Sequence, residues 1–307
     1  MTWRDFQKKQ RVMQMDDRFL SYVDEGSGPP LVLLHGMPGW GYAWSAVLPA
    51  LAGKARVLIP DLLGFGYSDK RDCFDRSIAA QSAILEDWMK NLGLGRVTVA
   101  GHDIGGGVAL RLATLYPARV ERLCLIASVC YDSWPSAALH SLGHPQVDQR
   151  LSSRRVASLL KRKLKQVMFT PSSDEFIAGL IQPYATEVGK LSLIRNAVAL
   201  NTNLTLEISH LLPQLQLPTL ILWGQDDNNQ PIHYAERLAG DIPGARWALI
   251  QGTRHFPMLE KPAIVADFLA KFVASADTSP SRWAMKMVVG DGAETPVSRK
   301  THLLTRR

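Results

Sequence analysis

The sequence predicts an α/β fold: a mostly parallel central sheet flanked by helices, with a helical piece inserted late in the chain. Three observations carry this expectation. Six short apolar runs of strand length are spread along the chain. Stretches with helical periodicity separate them. Between residues 133 and 216 the strand-like runs stop, and only helical, basic segments remain.

Taken in order, Arg18 to Asp24 (RFLSYVD) alternates weakly and ends at Glu25-Gly26-Ser27-Gly28, a turn signal, so it reads as a hairpin strand. Leu31 to Leu34 is a continuous apolar run, as expected of a strand buried on both faces of a parallel sheet. Residues 55–61 (ARVLIPD), 96–103 (RVTVAGHD), 122–128 (RLCLIAS), 218–227 (PTLILWGQDD) and 246–252 (RWALIQG) repeat that pattern. Ser77 to Asn91 carries Ile78, Ile84, Leu85 and Trp88 at helical spacing. Gly105 to Tyr116 carries Val108, Leu112 and Leu115 and stops at Pro117. Ile264 to Val273 is a third helix.

The inserted stretch begins after one buried run and ends before the next, so it is expected to form a cap over the sheet. Within it, Arg154 to Met168 places Val156, Leu160, Leu164 and Met168 on one face and Arg155, Lys161, Arg162 and Lys165 largely elsewhere. The expected organisation is a core of residues 1–132 and 217–275, a helical cap of residues 133–216, and a basic tail of residues 276–307. The tail has no periodicity and reads as loosely ordered.

Composition narrows the class. Apolar residues make up 46% of the chain, enough for a substantial core. No apolar run reaches the roughly 18–20 residues that span a bilayer, and MTWRDFQKKQRVMQMDD lacks the features of a signal peptide. Three cysteines, Cys73, Cys124 and Cys130, without metal-like spacing exclude a disulfide framework and a structural zinc site, and a cytoplasmic setting is expected. The net charge of +7 is concentrated in residues 133–216 and 276–307. It reads as solvated surface rather than a nucleic-acid face.

Chemistry is suggested by four short segments that follow predicted strands. In VAGHDIGGG (residues 99–107), a buried strand runs into Gly101-His102-Asp103-Ile104-Gly105 and then a helix. That is the pattern of a nucleophile elbow, whose strained turn needs small flanking residues. The others are His35-Gly36-Met37-Pro38, Trp223-Gly224-Gln225-Asp226-Asp227 and Gly252-Thr253-Arg254-His255-Phe256. Alone, an Asp in a glycine-rich turn is a turn residue and a loop His is a surface residue. Together, after the right strands and in the right order, they read as a site.

Over residues 18–275 these segments resemble the α/β-hydrolase superfamily, specifically its aspartate-nucleophile branch of soluble epoxide hydrolases and dehalogenases. The resemblance implies that Asp103 is the nucleophile, His255 the base and Asp227 the acid orienting it, with Asp226 as competitor. It also implies an oxyanion hole formed by the backbone N–H groups of Met37 and Ile104. An aspartate is ionised near neutrality without help from a base, and it suits displacement at a saturated carbon, giving an alkyl ester that His255-activated water then cleaves. Neither metal nor organic cofactor is needed for this chemistry.

The leaving group divides the branch. Asp61 to Lys70 (DLLGFGYSDK) resembles haloalkane dehalogenases, which carry Asn and Trp where this chain has Met37 and Ile104. Fluoroacetate dehalogenases carry arginines where it has Ile104 and Gly107. HGMPGWGYAW (residues 35–44) is closer to the epoxide hydrolases, which use cap tyrosines to meet the alkoxide. Tyr184 and Tyr131 are the candidates here, with the Trp134 N–H as a substitute and Trp40 lining an apolar pocket. The expected reaction is hydrolysis of a neutral hydrophobic epoxide to a diol. Dehalogenation, ester or lactone hydrolysis, and a ligand receptor with a relic triad are the alternatives. The expected partner is a small-molecule substrate, with neither nucleic acid nor a membrane span, and a homodimer is left open.

Overall fold

A computed structural model describes residues 1–144, 146–169, 173–275, 286–290 and 293–296. Among them one sheet runs through the molecule. Its strands are β1 (Gln10–Met15), β2 (Arg18–Glu25), β3 (Pro30–Leu34), β4 (Arg56–Pro60), β5 (Val97–His102), β6 (Val120–Ile126), β7 (Thr219–Gly224), β8 (Arg246–Ile250), β9 (Lys286–Gly290) and β10 (Ala293–Pro296). Their spatial order is β1-β2-β4-β3-β5-β6-β7-β8-β9-β10. From β4 to β9 neighbouring strands are parallel, while β1, β2 and β10 pair antiparallel at the two ends.

The apolar runs explain the centre. β5 and β7 are buried at every position, as strands sandwiched between two helical layers must be. The helices of those layers include Ile78–Asn91, which leads into β5 and is capped by the Ser77 hydroxyl on Ala80 N–H, and Pro262–Ala274, which follows β8. The chain order reverses between β3 and β5: it runs outward from β3 to β4, then crosses back to β5 and continues the other way. In open α/β sheets the crevice at such a reversal, beyond the carboxyl ends of the strands, is where ligands bind. The His35–Pro38 loop leaves β3 there, and Asp103 leaves β5 there.

Two expectations change. The hairpin partner of β2 precedes it: β1 pairs with it from Gln10↔Val23 to Met15↔Arg18, and the Gly26–Gly28 turn leads instead into β3. Half of β1 is exposed and only Met15 in it is buried, so it lacks an apolar signature. The tail also contains structure, since Lys286–Gly290 lies parallel to β8 and Ala293–Pro296 turns back beside it. The composition of residues 276–307 masked the short run Met287-Val288-Val289, which meets the backbone donors and acceptors left open along β8. The rest of that tail lies outside the described residues.

Between β6 and β7 the described residues are helical, with Ala137–Leu142, Ser153–Val167, Asp174–Ile181 and Glu187–Val198 as the main helices. Ser153–Val167 turns Val156, Leu160 and Leu164 inward and leaves Arg154, Arg155, Arg162 and Lys165 exposed. Two devices fasten this insert to the sheet. Buried Arg76 donates to the Ser192 hydroxyl at 2.8 Å and to the carbonyl of Lys70 at 2.6 Å, while Ser192 and Asn196 both donate to the Gly64 carbonyl. On the other side the N-terminal helix Trp3–Lys8 buries Phe6 edge-on against Trp40, and the Trp40 indole N–H donates to the Gly179 carbonyl at 2.9 Å. Among the described residues no helix is long and apolar enough to cross a membrane.

Candidate functional site

Asp103 occupies the bend between β5 and the helix Ile104–Leu115 with φ 53° and ψ −122°, a conformation that costs a non-glycine residue of order 1–3 kcal/mol. The bend is tied down on all sides. Asp103 N–H donates to the Ile126 carbonyl, and the Asp103 carbonyl accepts from Gly106 and Val129. Its carboxylate makes no capping bond to the helix that follows, so the local-turn role of a lone aspartate does not consume it.

Small residues make room for this arrangement. A Cβ on Gly36 would fall 2.6 Å from Cβ of Asp103 and 2.9 Å from its Oδ1. A Cβ on Gly105 would fall 2.6 Å from the backbone oxygens of both Leu34 and His35, so the helix can approach β3 only without a side chain there. Gly105→Ala is expected to destabilise the protein by about 1–3 kcal/mol through overpacking against backbone. A lowered urea midpoint at unchanged m-value is the measurement that checks it.

The His35–Trp44 loop is set by buried polar groups. His35 Nε2 accepts from Leu62 N–H at 3.0 Å, and burial holds its pKa down at about 4, so the ring is neutral. Asp61 accepts from Gly41 N–H, Tyr67 N–H and the Gln10 amide, each at 2.8 Å. Burial raises its pKa to about 6 against the pull of those donors. The segment Asp61–Lys70 is therefore a brace for the loop. The loop in turn presents Met37 N–H, which donates to Asp103 Oδ1 at 2.8 Å. The other expected donor, the Ile104 amide, opens the adjoining helix.

His255 reaches the second carboxylate oxygen. Its Nε2 lies 3.4 Å from Asp103 Oδ2, and its Nδ1 lies 2.9 Å from Asp227 Oδ2. Asp227 is buried and its Oδ1 accepts from Asn229 N–H at 2.8 Å and Gln230 N–H at 2.9 Å. Asp226 points to solvent and meets the β8 side only through its backbone. The structure thus brings together Asp103, His255 and Asp227, and does not bring Asp226. Burial lowers the imidazole pKa, but Asp227 and Asp103 outweigh it and raise it to about 10. Burial also opposes ionisation of Asp103, and the His255 partner outweighs it and holds that carboxyl below its usual value. Each group thus favours the charged form of the other.

The loop carrying His255 is clamped to the insert. His255 N–H donates to the Val167 carbonyl at 3.1 Å, the Arg254 guanidinium donates to the Gln166 carbonyl at 3.1 Å, and Glu260 accepts from the amides of Arg254 and Phe169. Arg254 thereby satisfies a carbonyl left open at the end of the helix Ser153–Val167. Beneath lies His102, whose Nε2–H donates to the His255 carbonyl at 2.7 Å. Burial, followed by the nearby His255, lowers its pKa to about 4.

The residues expected to meet a leaving group are placed differently from one another. Trp40 is spent on Gly179 and the N-terminal helix. The Trp134 indole N–H donates to the Thr205 hydroxyl at 2.7 Å. The Tyr131 hydroxyl donates to Asp241 at 2.6 Å, with Arg237 stacked on its ring. None of the three, nor Tyr184, has a described contact with Asp103 or His255. Tyr184 is fully buried, and its hydroxyl donates to the Gly39 carbonyl, two residues past Met37. Sequence reasoning missed Asn229, whose Nδ2 lies 3.2 Å from His255 Nε2. Its only signal is its place two residues after Asp227.

Chemically, this arrangement can present a carboxylate oxygen to an electrophilic carbon, with an amide N–H on the other oxygen and an imidazole alongside. Among the described residues no group of three or more His, Cys, Asp or Glu side chains is arranged to hold a metal.

Comparison with known proteins follows the same lines. A family model described as alpha/beta hydrolase fold matches residues 29–183 and 193–262. The chain is 31% identical over 274 residues to the soluble epoxide hydrolase of Corynebacterium sp. (strain C12), covering 83% of this chain and 93% of that protein. It is 27% identical over 262 residues to haloalkane dehalogenase 2 of Mycobacterium tuberculosis, covering 80% and 88%. Among solved structures, the epoxide hydrolase CorEH superposes with a TM-score of 0.75 at 28% identity, covering 86% of this chain and 98% of that one.

Proposed function

The chain belongs to the alpha/beta hydrolase fold family, and from that premise we propose that it is a cofactor-independent hydrolase that opens a neutral, hydrophobic epoxide to a diol through a covalent ester on Asp103. The observation that carries this reading is an uncapped carboxylate at the strand–helix bend, with Met37 N–H on one oxygen and His255 beside the other. A serine at this bend would direct the site to carbonyl substrates, whereas a carboxylate is suited to displacement at tetrahedral carbon.

In the first step Asp103 Oδ2 attacks an epoxide carbon, the C–O bond breaks, and the ring oxygen leaves as an alkoxide. Tyr184 is the proton donor in this reading. It comes from the insert, its hydroxyl donates to the Gly39 carbonyl on the loop that carries the Met37 amide, and burial keeps its phenol protonated. In the second step His255, which releases its resting proton to solvent once Asp103 is esterified, takes a proton from water at Nε2 as that water attacks the ester carbon, while Met37 N–H holds the oxyanion, with the Ile104 amide as the proposed second donor. Asp227 fixes the tautomer and stabilises the imidazolium. The leaving alkoxide takes the proton from His255 to complete the diol, the proton on the regenerated carboxyl passes to the tyrosinate, and Asp103 regains its charge, so one water is consumed.

The epoxide is favoured over a halide because Met37 and Ile104 have no side-chain N–H to cradle one. The likeness to a haloalkane dehalogenase supports halide release as the second reading. In either reading the helical insert acts as the cap that shapes the pocket. Assays with a neutral aryl epoxide, a bromoalkane and a simple ester separate the readings. Diol formation without halide release is the expected result. Halide from the bromoalkane alone, or ester cleavage alone, would overturn the epoxide assignment.

A further inference from the structure

His255 Nε2 has two neighbours, Asp103 Oδ2 at 3.4 Å and Asn229 Nδ2 at 3.2 Å. An imidazole nitrogen offers one in-plane lone pair or one proton, so two partners must share it or alternate. An amide suits that position because it can play both parts. Its NH₂ donates to a neutral Nε2, and its carbonyl accepts from a protonated one after the amide turns over. Asn229 is also held in place by the carboxylate that orients the ring, since its backbone N–H donates to Asp227 Oδ1 at 2.8 Å. It is only half-buried, which leaves the side chain room to turn.

We propose that Asn229 is a further catalytic residue, which together with His255 Nε2 holds the water that hydrolyses the Asp103 ester. This rests on the covalent reading above. Once the ester has formed, Asp103 no longer attracts Nε2 as an anion. Water then takes the place between Nε2, Asn229 and the ester carbon. One O–H gives its proton to Nε2 and the Asn229 carbonyl accepts the other O–H. The oxygen lone pair is thereby turned toward Cγ of Asp103. The tetrahedral intermediate places its charge on the oxygen held by Met37 N–H, then collapses as the leaving alkoxide takes the proton from His255 Nε2, and the carboxyl gives its remaining proton to the tyrosinate to restore the carboxylate.

Single-turnover measurements on the full chain with a neutral aryl epoxide test this, following the Asp103 adduct by intact-protein mass spectrometry in Asn229→Leu and Asn229→Asp. In the leucine variant the adduct should form within about threefold of the wild-type rate and clear about ten- to a hundredfold more slowly. The aspartate variant keeps an acceptor for the water but sets a third carboxylate beside His255. Clearance should partly recover, and its pH profile should move to higher pH. Adduct that clears from Asn229→Leu at the wild-type rate overturns the proposal. So does an equal slowing of formation and clearance in both variants, which would make Asn229 a shaping residue only. Absence of any adduct in the wild type and in His255→Gln is a different failure, that of the covalent Asp103 reading itself.

Discussion

Asp103→Asn is expected to lower turnover by on the order of 10⁴-fold or more, with little change in fold or ligand binding. The substitution is close to isosteric. The amide oxygen can keep the Met37 N–H that Asp103 Oδ1 now accepts, and the new NH₂ can face His255 Nε2 where Oδ2 stands. The strained backbone at φ 53° suits asparagine at least as well as aspartate, since Asn tolerates positive φ better than most residues. What is removed is the anion. A neutral amide oxygen cannot displace an alkoxide from carbon, and the remaining elements of the site have nothing to act on. Steady-state diol production measures the loss, and isothermal titration with a non-hydrolysable substrate analogue measures retained binding. This comparison also addresses the receptor with a relic triad. Turnover that persists within tenfold in the variant would remove Asp103 from the chemistry. A wild type that binds the analogue but turns over no epoxide, bromoalkane or ester would favour the receptor.

How much of this site could be read without coordinates depended on the kind of constraint each residue obeys. Asp103 was legible because its neighbours are forced. The chain passes so close to itself at this bend that Gly36 and Gly105 have no space for a Cβ, and such glycines leave a sequence pattern. His255 and the Asp226-Asp227 pair were legible from their places after β8 and β7. The choice within the pair was not, because adjacent loop residues point in different directions according to backbone turns that no periodicity encodes. The 2.9 Å contact with His255 Nδ1 and the bonds from Asn229 N–H and Gln230 N–H single out Asp227. The aromatic candidates were the least legible. Trp40, Trp134 and Tyr131 each have an apolar body and a polar tip, so each fits a pocket wall or a structural joint equally well in sequence. Their hydrogen bonds to Gly179, Thr205 and Asp241 make them joints. The Trp3–Lys8 helix that covers Trp40 is six residues long, too short to show a helical period. In the tail the opposite error arose: β9 and β10 pair by backbone along an open edge, and such pairing requires little of the side chains.

His255→Gln should separate the two halves of the reaction. Formation of the Asp103 adduct is expected to continue within a fewfold of the wild-type rate, and its hydrolysis to slow by about 10²- to 10⁴-fold, so that the enzyme stops as a stable adduct after one turnover. The first half needs an ionised Asp103 and the Tyr184 proton, and in the wild type, where His255 holds the Asp103 carboxyl below its ordinary value, it should be flat with pH from about pH 5 upward. The second half needs a neutral His255. In the resting enzyme burial works against the imidazolium, while Asp227 and Asp103 raise its pKa to about 10. Esterification cancels the charge on Asp103 and leaves only Asp227 to oppose burial, so the pKa must fall just when a base is required. Hydrolysis of the wild-type adduct should therefore rise with pH toward a plateau below pH 10, and adduct should accumulate in the wild type at pH 5. Folding stability supplies an independent check on the same charges. A group whose folded pKa is raised above its unfolded value contributes fully below the unfolded value and loses that contribution as pH rises through the folded one. For His255 the window runs from about pH 6.5 to about pH 10. Thermal unfolding of the wild type should weaken across that window relative to His255→Gln, which has no proton to lose there. If both proteins follow parallel pH–stability curves while the adduct still accumulates in the variant, His255 is a base without being the resting imidazolium, and the charge-relief argument fails even though the covalent route stands.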